Sequence, residues 1–130
     1  MAAKMTLEKG AKAKAEGTTQ DLNFAADVGA YKYVAARLRL TGIAGAPSGG
    51  TVTIQIQTAT ENKEEEYIAV PGTSGADLEY TINFNDPTGD IQLEISERFA
   101  RYLRWAVTDW SFTGGSGEEI GFSIDLVLKD

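Results

Sequence analysis

The side chains in this sequence with chemical potential are aromatic rings and arginines rather than acid–base groups. Tyr102, Trp105 and Trp110 fall close together, with Phe112 beyond them. Exposed, such rings would make a stacking platform for a sugar ring; buried, they anchor a core. Arg101 and Arg104 flank Trp105 on the opposite strand face. There they could pair with carboxylates of a neighbouring strand or subunit, or stack on an exposed Tyr. The chain has no His and no Cys. It therefore lacks the commonest general base, the usual metal ligands, a thiol nucleophile and any disulfide. No catalytic residue, cofactor or metal is expected, and the chain reads as a binding protein rather than an enzyme.

The remaining candidates are acidic. Glu64, Glu65 and Glu66 sit in a polar turn, where solvated carboxylates are the ordinary outcome. Asp86 and Asp90 in NDPTGD could supply oxygens to Ca²⁺, yet Asn, Asp, Pro and Gly are also what a β-turn requires. The run TGGSGEE has glycines but joins two strands and opens no helix. It reads as a hairpin loop rather than a phosphate-binding one.

The net charge is −7 and the sequence pI about 4.6, which disfavours binding to nucleic acid. No stretch nears the ~20 apolar residues that span a bilayer, so no membrane partner is expected. The amino terminus has no apolar run of the secretory kind. The charge is uneven: up to Gly17, Lys4, Lys9, Lys12 and Lys14 stand against Glu8 and Glu16, a local +2 that leaves −9 on the remainder. That segment, rich in Ala, Lys and Gly, has few large apolar side chains beyond Met5 and Leu7. It reads as a flexible arm, residues 1–17, either docking on a neighbouring copy or simply solvated.

What must position these residues is a set of strands. Residues 18–130 alternate with period two, and 130 residues suit one domain. TTQDLNFA, with Leu22 and Phe24, is a plausible first strand. In YKYVAARLRL, Val34, Ala36, Leu38 and Leu40 share one face, with Tyr33, Arg37 and Arg39 on the other; TGIAGAPSGG follows as a long turn. TVTIQIQTAT buries Val52, Ile54 and Ile56. YIAV ends at Pro71, and DLEYTINF aligns Leu78, Tyr80, Ile82 and Phe84. DIQLEIS aligns Ile91, Leu93 and Ile95, and IGFSIDLVLKD aligns Ile120, Phe122, Ile124, Leu126 and Leu128. Residues 99–110 also fit an amphipathic helix. Their aromatic and β-branched content, inside a run of hairpins, favours a turn at residues 97–100 and then a strand. The expected fold is an all-β antiparallel sandwich or jelly roll with an extended amino-terminal arm.

Three segments carry a resemblance. TVTIQIQTATENKEEEYIAV resembles the strand–turn–strand of discoidin-like sandwiches, with Tyr67 opening the second strand. ARYLRWAV is similar to a later strand of those domains, and FSIDLVLKD to their closing strand. The same order resembles small β-sandwich structural proteins of tailed bacteriophages and prophages, over residues 31–129. The phage resemblance implies a virion component made in the bacterial cytoplasm, a capsid decoration or stabilising protein. Its partners would be a larger protein shell and further copies of itself in a small symmetric oligomer, such as a trimer. The lysines of the arm, with Arg101 and Arg104, would then be partner-binding residues. The discoidin resemblance implies the alternative, a carbohydrate-binding module stacking sugars on Tyr102, Trp105 and Trp110.

Overall fold

The structure, a computed structural model, describes residues 2–45, 47–72, 75–84 and 92–130. Their strands are β1 (Ala2–Ala13), β2 (Ala26–Asp27), β3 (Tyr33–Ala44), β4 (Thr51–Ala59), β5 (Ile68–Ala69), β6 (Glu79–Asn83), β7 (Gln92–Ser96), β8 (Tyr102–Trp110) and β9 (Glu119–Lys129). They build two antiparallel sheets packed face to face. The first has the order β1-β9-β3-β7; the second has β2-β8-β4-β5, with β6 also on β4. This is an all-β sandwich. Its core follows from the period-two pattern, because alternate side chains of a strand point to one face. Val34, Ala36 and Leu38 of β3 and all five expected residues of β9 are buried from one side. Val52, Ile54 and Ile56 of β4, Tyr80 and Ile82 of β6, and Leu103, Trp105 and Val107 of β8 meet them from the other.

The amino-terminal segment corrects the expectation of an arm. Ala2–Ala13 is a twelve-residue edge strand, paired with β9 from Ala2↔Lys129 to Ala13↔Ile120. Small residues suffice there because an edge strand covers the core with one face only. Leu7 and Ala13 are buried, and Ala3, Met5 and Ala11 pack against the core. The register shifts around Leu7 and again between Glu8 and Ala11. Gly10 takes φ 74° in the second irregularity, a backbone shape that a β-bulge favours.

The segment after β1 is also corrected. Residues 18–25 are not a strand; Leu22–Phe24 is a 3₁₀ turn capped by the Asp21 side chain, which accepts from Asn23 N–H. Phe24 is left 70% exposed. Just before it, Gln20 N–H donates to Trp105 O and Val107 N–H donates to Thr18 O, so residues 17–20 line the edge of β8. The chain thus edges first one sheet and then the other along the same flank.

Residues 102–110 form a strand, as preferred above. The helical-looking pattern has a physical cause. β8 pairs with both β2 and β4, and five consecutive residues from Leu103 to Val107 are buried. A strand covered on both faces loses its alternation. The loop after it joins β8 of one sheet to β9 of the other, so TGGSGEE is a crossing between sheets and not a hairpin. β3 runs on to Ala44, which shortens the expected turn before β4. Gly50 ends that turn at φ 101°, where a Cβ would collide with the Ser111 carbonyl oxygen.

β7 inverts the expected polarity. Its register sets Ser96 opposite Val34, Ile95 opposite Ala35 and Glu94 opposite Ala36. Since Val34 and Ala36 face inward, Glu94 and Ser96 do too, and Ile95 lies on the outer face of the sheet. Ser96 Oγ donates to Pro71 O at 2.7 Å, and Tyr80 Oη donates to Ala36 O at 2.7 Å. Ile91 lies outside the described residues. Burial pushes the Glu94 carboxyl above the usual range, and its charge adds to the burial that raises the Tyr80 hydroxyl.

A carboxyl whose folded value is raised binds protons more readily folded than unfolded, so it costs stability once pH rises above its unfolded value. Glu94→Gln is therefore expected to stabilise the domain at neutral pH by on the order of 0.5 kcal/mol. The gain should vanish at a pH low enough to protonate the carboxyl in both states. Thermal melts of both proteins across that range measure it; equal melting temperatures at neutral pH would refute it.

Candidate functional site

The structure separates the three rings expected to act together. Trp105 is 4% exposed, edge-on to Phe122 at 4.9 Å between centroids. Its Nε1 donates to Glu8 Oε1 at 3.0 Å, and its backbone N–H donates to Gln20 Oε1 at 3.3 Å. A buried indole offers no face to a sugar. Tyr102 and Trp110 stand at opposite ends of β8, about 26 Å apart at strand rise, too far to grip one ring. Tyr102 carries the Arg101 guanidinium 5.1 Å from its centroid. Trp110 tilts against Phe112 at 5.5 Å and closes one end of the sandwich.

The two arginines are engaged within the chain. Arg101 reaches Asp27 with two nitrogens, Nε at 3.2–3.3 Å and Nη2 at 3.0 Å. This guanidinium, with the Gly29 N–H, holds the Asp27 carboxyl below its ordinary value. Arg104 lies on the outer side of β8 yet is 4% exposed. Its guanidinium sits 4.3 Å from the Tyr67 ring centroid. Its Nε donates to Gln57 Oε1 at 2.9 Å, and Nη1 donates to Glu64 Oε2. That bond holds the Glu64 carboxyl below the carboxylate range, while burial pushes the Tyr67 hydroxyl up. Arg104 is thus a fastener, pinning the acidic turn across the second sheet. Glu64–Glu66 is a 3₁₀ turn, and Asn62 Nδ2 ties it to Leu22 O at 2.8 Å. Glu65 and Glu66 are exposed and make no ion pair among the described residues.

The lysines come together with residues that their sequence position does not suggest. Lys4 is exposed on β1 and shares a shallow groove of about 320 Å³ with Thr6, Arg37, Asp125 and Val127. Lys12 and Lys14 reach Glu119 of β9 at 3.8 and 3.4 Å, exposed pairs of small energetic weight. Lys9 is exposed beside the bulge, where its N–H donates to Glu8 Oε2 at 2.9 Å. Across β3 and β9 the outward positions are Tyr33, Ala35, Arg37 and Arg39, then Ser123, Asp125, Val127 and Lys129. The outer face of the first sheet therefore gathers Lys4, Lys12, Lys14, Arg37, Arg39 and Lys129 against Glu119 and Asp125. Arg37, Arg39 and Lys129 were not among the expected site residues. Their outward alternation in YKYVAARLRL and FSIDLVLKD is the sequence signal, but only the β1-β9-β3 pairing puts them beside the lysines.

Among the described residues no group of three or more Asp or Glu is placed to hold a metal ion, and no helix is long and apolar enough to cross a membrane. Asp86 and Asp90, the expected calcium candidates, lie outside the described residues. No protein-family model matches the chain, and neither a curated protein nor a solved structure matches it.

Proposed function

We propose that this chain is a non-enzymatic structural protein that associates with copies of itself and attaches to a larger protein assembly. A decoration or stabilising protein of a virion shell is the specific form of that reading, and its motivation is the resemblance of residues 31–129 to phage sandwich proteins. The observation that carries the proposal is the segregation of charge. A molecule of net charge −7 gathers six of its twelve Lys and Arg residues on the outer face of one sheet, while Glu61, Glu65 and Glu66 are turned outward on the other. Such a surface attracts acidic protein patches and steers their approach. The absence of His and Cys from the sequence agrees with a protein that does no covalent chemistry.

Light scattering of the purified full chain tests the self-association. The expected mass is a small integer multiple, greater than one, of 14.0 kDa. A monomer at every concentration would count against it. Removing residues 1–17 is not a fair test of association, because β1 belongs to the sandwich.

A further inference from the structure

Resting on the self-association just proposed, we infer that copies of this chain join head to tail. The cationic outer face of the first sheet would receive the acidic turn at residues 61–66 of a second copy.

Two surfaces of one molecule carry this. The first is the outer sheet face, where Lys4, Arg37 and Lys129 surround Ala35, Ile95 and Val127. These three apolar side chains are half-buried rather than covered. Ile95 is there because β7 turns its polar residues inward. Apolar area rimmed by charge, with Lys4 and Arg37 lacking ion-pair partners among the described residues, is what a docking face looks like. The second surface is the acidic turn. It presents Glu65 and Glu66, with Glu61 paired to Lys63 of the same turn at 3.1 Å, beside Ile68, which is 67% exposed, and it sits against the 3₁₀ turn bearing Phe24, 70% exposed. These two are the exposed large hydrophobic residues of the described chain.

Charge decides the pairing. Placing two copies of the cationic face against each other would set Lys4, Arg37, Arg39 and Lys129 against the same residues, and like charges across an interface are costly. The cationic face on the acidic turn is attractive in both charge and apolar character. An interface between two different patches is heterologous, and repeated around a suitable angle it closes into a ring. That matches a small symmetric oligomer.

The test uses two full-length variants, each with one surface reversed, and sedimentation velocity as the readout. Lys4→Glu/Arg37→Glu spoils the sheet face and keeps the turn; Glu65→Lys/Glu66→Lys spoils the turn and keeps the face. All four positions are exposed, and thermal melts check that both variants fold like the parent. Each variant alone is expected to self-associate at least about tenfold more weakly than the parent. Mixed in equal amounts, they should assemble with each other, because the acidic turn of the first meets the intact cationic face of the second, and at the other contact the two reversed surfaces again carry opposite charge. High salt should weaken the parent oligomer.

Variants that still assemble like the parent would overturn the head-to-tail interface and leave self-association standing. So would variants that dissociate but do not associate with each other on mixing. A parent that is monomeric at every concentration would overturn both.

Discussion

Removal of residues 1–16 is expected to abolish the cooperative unfolding transition of this domain, where loss of a solvated arm would leave it unchanged. The deletion takes away a strand that pairs with β9 along its length and the buried side chain of Leu7. Losing a buried leucine alone costs about 2.7–5 kcal/mol, and each ladder hydrogen bond adds about 1 kcal/mol. It also takes away Ala11, Met5 and Ala3, the in-sheet neighbours of Phe122, Leu126 and Leu128, and removes Glu8 from the Trp105 indole. A total beyond ~5 kcal/mol consumes most of what an ordinary domain has, about 5–15 kcal/mol. Urea titration followed by Trp fluorescence and far-ultraviolet circular dichroism would show it. A sigmoidal transition with the parent's midpoint would disprove the structural role of β1.

Trp105→Ala is the second large effect, an expected loss of about 3–5 kcal/mol. The indole is buried between the sheets, edge-on to Phe122, and its neighbours cannot fill the space it leaves. Gln20 loses no partner, because the group of Trp105 that donates to its Oε1 is the backbone N–H, and its Nε2 still donates to Leu7 O at 2.6 Å. Trp105→Phe should recover more than half of the loss, since it refills most of the volume and gives up only the bond to Glu8. Chemical denaturation of the three proteins measures this. A Trp105→Ala variant as stable as the parent would mean that the ring is exposed, and would return the sugar-stacking reading to consideration.

How much of this was legible beforehand depends on how many faces of a strand are covered. β3, β4 and β9 were read correctly in phase, because one face meets the core and the other meets water. β8 was ambiguous because Arg104 and Ala106 are buried as well as Leu103, Trp105 and Val107. β1 was missed because its core face is built from Ala3, Ala11 and Ala13 with only Met5 and Leu7 as large side chains, a composition that an unpaired segment shares. β7 illustrates a different limit. Alternation shows that a strand has two faces, but not which one turns inward. In β7 that is settled by Tyr80 and Pro71, far away in sequence. The site was less legible still. Arg104 and Glu64 lie 40 residues apart, and nothing local announces that one pins the other. The lysines were visible, but the arginines that join them on one face come from β3, and only the pairing through β9 brings the two together.

The position of β9 has a consequence for how the molecule comes into being. It lies between β1 and β3, and contacts such as Gly10 N–H to Ser123 Oγ span 113 residues. As the chain emerges during synthesis, the second sheet has all its strands before β9 exists, whereas β1 has no partner in its own sheet. Until β9 arrives, β1 offers bare hydrogen-bonding groups, and the inner faces of β4 and β8 lack most of their cover. Topologies of such long reach fold slowly, in about milliseconds to seconds. Lys4, Lys9 and Lys12 of β1 are charges of the kind that discourage an open strand from pairing with other chains over that interval. The cations proposed above to receive an acidic neighbour would thus also guard the unfinished surface.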